Sequence, residues 1–333
     1  MFVAFLMQGY GPISIGLLTL HSLLAYRFIW RFIKQWRPDK RLVSTWFGAA
    51  ALFFFVLSSL GPFAIPAIQI LGEGNSLWLK MAVHYYLHFQ YNGWFLFGAF
   101  ALLFKIMEKK QTGLPFHWAR WQFGLMALAL FPAYFVTLSA SSLPGWTAHL
   151  ATLGVWLQWA GYFLFVYHFV SRGVIYKLAQ TNASRFLLAF ALVMIFVKFT
   201  FEVIGATPPF SNFFAPFSHF LIIGYLHLIF LGAVTPLLWW INAELGYFSF
   251  RQSWVTFAMA MYIPGFVGSE TALMLLGLKL PLPQTTLWLF LFSVLLFLGT
   301  CAMLIVILRR EKIDSLMTEP NTSVTNLQPE FSK

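Results

Sequence analysis

The sequence predicts an all-α integral membrane protein with about nine transmembrane helices, and three observations lead to that fold class. Hydrophobic residues make up 60% of the 333 residues and charged residues only 9%, more apolar surface than a soluble domain can bury. The apolar residues come in long runs, without the alternation that marks a transmembrane barrel. Lysine and arginine gather in every second connection between the runs, as they do in polytopic helical proteins.

Nine apolar stretches are long enough to cross a hydrocarbon core of about 30 Å as helices. They lie at 3–26, 43–60, 77–104, 119–139, 147–170, 186–205, 217–241, 253–275 and 284–308. Gly61, Pro62 and Pro66 predict a loop over 61–66, after the second span. Together the spans predict one transmembrane domain over 1–312. The polar segment 313–333 predicts a disordered cytoplasmic tail.

The basic residues predict the orientation of the chain. The opposite loops hold only Lys80 and Lys279. The N-terminus is therefore expected outside and the C-terminus in the cytoplasm, and we expect a bacterial inner membrane. This one-sided charge explains the net charge of +11 without any nucleic-acid partner. The residues on the predicted cytoplasmic side are Arg27, Arg31, Lys34, Arg37, Lys40, Arg41, Lys105, Lys109, Lys110, Arg120, Arg172, Lys177, Arg185, Arg251, Arg309, Arg310 and Lys312.

Two histidines are predicted at matching depth in the membrane. His88 lies about 11 residues into the third span and His227 about 10 residues into the seventh, roughly 16 Å from the outer face at 1.5 Å per residue. Both spans are expected to run inward, which suits one imidazole on each face of a haem. The lone Cys301 excludes a Cys-x-x-Cys-His attachment, so the haem would be held non-covalently. The alternative is that each histidine hydrogen-bonds a neighbouring helix.

Residues near these histidines are compatible with a macrocycle. Glycine lets a flat group approach the backbone, although small residues also serve ordinary helix packing. Lys80, His84 and His88 form one stripe at four-residue spacing, so Lys80 is a candidate partner for a haem propionate. The alternative is that Lys80 merely extends its ammonium group to the membrane–water interface, where it is solvated. The glycines in question are Gly93, Gly98, Gly224 and Gly232.

Two segments resemble a known family. The run His88-Phe-Gln90-Tyr-Asn-Gly-Trp94 through Gly98 resembles the helix of the haem–copper oxidase and nitric oxide reductase superfamily that carries one low-spin haem ligand. The run Tyr225-Leu-His227-Leu resembles the later His-x-His-Leu helix. The resemblance implies one low-spin haem b held by His88 and His227.

The second segment departs from the family at Tyr225. The family has a histidine there for the catalytic haem, and its copper-binding histidines have no match in this chain. The resemblance therefore implies an electron-transfer, sensing or accessory role, with a quinone or another respiratory subunit as candidate partner. A terminal oxidase or nitric oxide reductase remains an alternative, with tyrosine as a conceivable ligand of a second haem.

A function of another class is suggested by histidines near the outer face. Such a cluster can bind copper, which would indicate a metal-handling or transport protein. Interfacial histidines that bond loop carbonyls are the alternative. The candidate ligands are His84, His149 and His219.

Three ionisable residues fall inside predicted spans. Lys198 and Glu202 are four residues apart in the sixth span, and Glu270 lies in the outer half of the eighth. Charges inside a membrane are costly and mark functional sites by default. One interpretation is an ion pair between Lys198 and Glu202 that faces the bundle interior. The other is that the two glutamates accept protons near a haem or a quinone.

Overall fold

A computed structural model describes residues 2–9, 11–36, 39, 41–72, 76–113, 115–138, 144–207, 219–280 and 282–308. The predicted tail 313–333 lies outside these residues. The described chain is helical and contains no strand. Its α-helices are α1 Phe2–Gln8, α2 Pro12–Gln35, α3 Val43–Ser58, α4 Leu60–Ile70, α5 Leu77–His88, α6 Leu96–Lys109, α7 Phe116–Ala133, α8 Trp146–Ser171, α9 Val174–Leu178, α10 Asn182–Ala206, α11 His219–His227, α12 Thr235–Glu244, α13 Ser253–Gly277 and α14 Thr285–Leu308.

Seven helical stretches of the described chain are long and apolar enough to cross a membrane, which makes this an all-α membrane protein. The other two predicted spans, 77–104 and 119–139, are also largely helical but are not among the seven, so nine spans are not confirmed. The first of them carries His84, His88 and Asn92, which lower its hydropathy. The seven are Pro12–Gln35, Val43–Ile70, Trp146–Ser171, Asn182–Ala206, His219–Glu244, Ser253–Gly277 and Thr285–Leu308.

The predicted loop over 61–66 is wrong, because these residues belong to helix α4. Pro62 is the third residue of α4, where a helix has no internal partner for the missing N–H. Pro66 lies further inside the helix and is accommodated there. Proline therefore does not end the second span at the membrane surface, and helix continues to Ile70.

A cluster of phenylalanine rings lies in the core. Phe47 of α3 is fully buried, and its ring lies 5.3 Å from the ring of Phe97, 5.3 Å from that of Phe100 and 5.2 Å from that of Phe104. In lipid such packing acts through van der Waals contact, since lipid tails are as apolar as the side chains. The cluster fixes α3 against α6.

Glycine allows the last two helices to pack backbone to backbone. A Cβ added at Gly265 of α13 would lie 2.5 Å from the Leu296 nitrogen, and one at Gly299 of α14 would lie 2.6 Å from the Tyr262 nitrogen. No larger residue fits at such distances, and small residues at helix contacts are typical of membrane bundles. This contact holds α13, which carries Glu270, in a fixed position.

Two rods of the bundle run side by side in the same direction. The first rod is α5, a π-helical segment Phe89–Phe95 and α6, and the second is α11, a π-helical segment Leu228–Val234 and α12. Tyr91 contacts Phe230 near the start of the two π segments, and Lys110 pairs with Glu244 at the far ends. The N-terminal parts of the two rods thus contact each other, and so do their C-terminal ends. The parallel direction expected for the third and seventh spans follows from these contacts.

Candidate intramembrane histidine site

The two histidines occupy corresponding positions in the two rods. His88 is the last residue of α5 and His227 the last residue of α11, and a seven-residue π segment follows each of them. Three residues on, the rings of Tyr91 and Phe230 touch edge to face, with centroids 4.5 Å apart. π segments inside α-helices occur frequently at functional sites. The sequence predicts the matching depth of the two histidines but carries no signal for the π segments that follow them.

The glycines after the histidines admit protein side chains. Gly93 and Gly232 each stand five residues after a histidine, inside a π segment. A Cβ at Gly93 would lie 2.5 Å from Phe54 Cβ, and one at Gly232 would lie 2.7 Å from Phe266 Cζ. The expectation that these glycines face a macrocycle is therefore corrected. Each receives a phenylalanine from a neighbouring helix.

Gly224 and Gly98 also have protein neighbours. A Cβ at Gly224 would lie 3.2 Å from Glu270 Oε2, and one at Gly98 would lie 4.0 Å from Ala51 Cβ. Gly224 therefore lets α11 approach the glutamate of α13. This close approach is what brings Glu270 within reach of His227.

His88 is buried, and both of its ring nitrogens are engaged. Its Nε2 lies 2.8 Å from the carbonyl oxygen of Leu130 on α7, and its Nδ1 lies 3.3 Å from Asn92 Nδ2. If the Asn92 amide donates, Nδ1 is the acceptor and the Nε2 proton is donated to Leu130. The ring also packs edge to face against Tyr134, with centroids 6.0 Å apart. A hydrogen bond to a neighbouring helix, the alternative weighed for a lone histidine, is therefore present.

A polar chain continues from Asn92 into the sixth predicted span. Asn92 Nδ2 lies 3.5 Å from the Tyr225 hydroxyl, and that hydroxyl donates to Glu202 Oε1. Lys198 Nζ donates to Glu202 Oε2 over 2.8 Å, which confirms the predicted ion pair. Lys198 is 1% exposed and Glu202 7% exposed, so the pair faces the bundle interior. The Tyr225 hydroxyl is hydrogen-bonded to the Glu202 carboxylate, and a tyrosine held in this way does not resemble a haem ligand.

His227 forms a pair with Glu270. Its Nδ1 lies 2.9 Å from Glu270 Oε1, and 36% of the His227 side chain is exposed. No hydrogen bond to its Nε2 is found within the described part of the chain. A carboxylate that accepts the Nδ1 proton fixes the ring and leaves Nε2 to bind a metal. The two residues are 43 positions apart, and no spacing rule joins them.

These residues fit a haem in part. His227 suits an axial ligand in that Glu270 contacts its Nδ1 and 36% of its side chain is exposed. All nine residues of α11 remain at least partly exposed, so this helix is open to a group beside it. His88 is suitable in residue type and position, but its Nε2 would have to leave the Leu130 carbonyl to bind iron.

The outer histidines lie on three different helices. His84 is half-buried on α5, while His149 of α8 and His219 of α11 are exposed. Over the described ranges, no three His, Cys, Asp or Glu side chains come together as a metal site. The geometry thus gives no support to copper binding by these three. Lys80 is exposed one turn outside His84, and its pairing with a propionate stays a prediction.

Comparison with known proteins gives no family assignment. No protein-family model, no curated protein and no solved structure matches the chain.

Proposed function

We propose that this protein is an integral membrane b-type haem protein that transfers electrons. In the proposal one low-spin haem lies between α5 and α11, with His88 and His227 as its axial ligands. Bound there, the haem would supply reversible one-electron transfer at its iron. The bilayer is the protein's environment, and a quinone or a neighbouring respiratory subunit of the inner membrane would exchange the electrons.

The observation that carries the proposal is the matched position of the two histidines. They end corresponding helices of two parallel rods, and the rods touch one turn further along through Tyr91 and Phe230. Two histidines at matching positions on neighbouring parallel rods suit one iron with two imidazole ligands. The same contact would form the inner limit of the haem site.

Glu270 supports the proposal by its contact with His227. In the proposal its carboxylate, 2.9 Å from Nδ1, accepts the Nδ1 proton of the ring, which leaves the Nε2 lone pair for the metal. An acidic side chain inside a membrane needs a partner of this kind, because a charge there is costly. Since Gly224 makes room for the carboxylate, the local sequence of α11 is adapted to the pair.

The chain of polar groups behind His88 would give the site groups that can hold a proton. Asn92, Tyr225, Glu202 and Lys198 connect to one another without leaving the bundle. Intramembrane acids and lysines with such contacts occur in proton relays. Glu202 in this chain and Glu270 beside His227 are the acids that would offset a change of charge at the site.

Electron transfer is favoured over gas reduction because a haem with two imidazole ligands has no free coordination position. The tyrosine at 225, where the resembling family has a catalytic-haem ligand, is held by Glu202. If the reduced protein steadily consumed oxygen or nitric oxide, the proposed function would be wrong and the protein would be a terminal reductase.

The proposal is tested by the haem content of the purified full-length protein. The chain is expressed with a haem supply, placed in lipid nanodiscs and assayed as its pyridine haemochrome. We expect one haem b per chain, and its loss in His88→Ala and in His227→Ala. His168→Ala, a histidine at the inner end of α8, is the matched control and should keep the haem. A folded wild-type protein without haem would overturn the proposal.

A further inference from the structure

The C-terminal part of α2 carries a row of exposed basic residues. Arg27, Arg31 and Lys34 follow one another at spacings of four and three residues, which places them on one face of the helix. All three side chains are exposed. Between the first and the last of them the helix rises by about 10 Å, at 1.5 Å per residue. This basic stripe therefore presents three cations at one end of a helix that is long and apolar enough to cross the membrane.

The basic stripe has no anionic partner among the residues that the structure describes. None of the three ion pairs found there includes Arg27, Arg31 or Lys34. Lys34 Nζ lies 4.9 Å from the centroid of the Trp30 ring, and this contact leaves its N–H groups free to bind an anion. The anion that neutralises the stripe is therefore to be sought outside the described part of the chain.

Other basic side chains on the same predicted side of the membrane are engaged by the protein itself. Lys177 Nζ donates to the Thr112 carbonyl over 2.9 Å, and Arg185 Nε donates to the Ala179 carbonyl over 3.0 Å. Lys110 likewise donates to a carbonyl and forms an ion pair. These cations hold loops and helix ends in place. The basic stripe of α2 differs from them, because its cations have no such contact in the described chain.

The surroundings of the basic stripe are open to lipid. The buried side chains of α2 are Ser14, Ser22 and Ile29 alone. Trp30, which stands beside the stripe, is 61% exposed. Tryptophan is enriched at the level of the lipid headgroups, where its ring has one apolar and one polar side. The stripe therefore lies beside a residue that is typical of the headgroup region.

We propose that the basic stripe of Arg27, Arg31 and Lys34 binds the phosphate headgroups of anionic phospholipids in the leaflet beside it. The charges are complementary, because these headgroups are negative and basic residues next to a membrane-spanning helix attract them. Arginine suits phosphate in particular, since its planar guanidinium donates two parallel hydrogen bonds to the phosphate oxygens. This inference does not rest on the haem proposal, and it concerns a different part of the fold.

The test measures lipid binding to the full-length protein by native mass spectrometry from detergent. Phosphatidylglycerol is the anionic probe and phosphatidylcholine the zwitterionic control. Wild type should bind phosphatidylglycerol more tightly, and its tightest binding step should weaken by about fivefold for each cation removed, up to roughly 100-fold in the triple variant. Equal binding of the two lipids by wild type, or undiminished binding by the triple variant, would overturn the inference. The triple variant carries Arg27→Gln, Arg31→Gln and Lys34→Gln.

A matched variant separates the basic stripe from net charge. It removes three cations that donate to carbonyl groups of the chain and should bind phosphatidylglycerol nearly as tightly as wild type. Equal losses in the two triple variants would show an effect of net charge and would overturn the inference. The matched variant carries Arg172→Gln, Lys177→Gln and Arg185→Gln.

Two further measurements keep the test decisive. Arg31→Gln and Lys177→Gln repeat the comparison with one charge each, which protects it against a folding defect in the matched triple variant. Only Arg31→Gln should weaken the binding of phosphatidylglycerol, and equal effects of the two substitutions would contradict the proposal. Inorganic phosphate, added at constant ionic strength, should leave the lipid bound. Displacement of the lipid by phosphate would show that the stripe takes a free anion instead.

Discussion

Removal of one partner from the buried Lys198–Glu202 pair should destabilise the protein strongly, and removal of both should not. At 2.8 Å and an effective dielectric constant near 20, the Coulomb attraction is about 6 kcal/mol before desolvation is subtracted. Loss of one partner of a buried pair typically costs about 3–5 kcal/mol, because the other charge is left unpaired. In Glu202→Gln the Lys198 ammonium loses its carboxylate partner and keeps its contacts with two aromatic rings, 3.8 Å from the Phe199 centroid and 5.9 Å from the Tyr225 centroid. We expect this variant near the upper end of that range.

The assay is reversible unfolding in mixed detergent micelles for Lys198→Met, Glu202→Gln and the double variant. Each single variant should lose several kcal/mol, on the order of 3 or more. The double variant should return to within about 1–2 kcal/mol of wild type, since apolar or neutral replacements of a buried pair are often tolerated. The carboxamide introduced by Glu202→Gln still offers an oxygen to the Tyr225 hydroxyl, so the measured loss of stability does not come from that hydrogen bond. A double variant as unstable as the sum of the singles would refute the reasoning.

Three further changes give expected outcomes of different kinds. Gly93→Ala should destabilise the fold by about 1–3 kcal/mol, because the new Cβ would lie 2.5 Å from a phenylalanine Cβ, whereas Gly16→Ala meets open space and should be neutral or stabilising in the same unfolding assay. Glu270→Gln should weaken haem binding by about 10- to 100-fold in a hemin titration, since His227 loses its carboxylate; unchanged affinity would contradict that role. A reporter fused after Lys333 should be active only in the cytoplasm, and periplasmic activity would reverse the predicted orientation.

The sequence was informative where a local rule applies. Composition alone predicts the membrane-helical class, and the four-residue spacing of Lys198 and Glu202 predicts their ion pair. It was misleading over 61–66, because proline in the first turn of a helix looks like proline in a loop.

The candidate site was less accessible to sequence reasoning. The partner of His88 on α7 is a backbone carbonyl, and every residue has one, so Leu130 carries no signal. The contact between His227 and Glu270 joins distant helices. A π segment uses the same residue types as an α-helix, so periodicity does not reveal it. The repeated offset from histidine to glycine, in His88–Gly93 and His227–Gly232, is the one signal that was present in the sequence.

The most direct test of the central claim is the electron paramagnetic resonance spectrum of the oxidised full-length protein in nanodiscs. Two histidine ligands to one iron predict a low-spin ferric signal in wild type and in His168→Ala. The same claim predicts conversion to a high-spin signal, or loss of the haem, in both His88→Ala and His227→Ala. A low-spin signal that survives either of these two substitutions, or a high-spin signal in the wild-type protein, would contradict it.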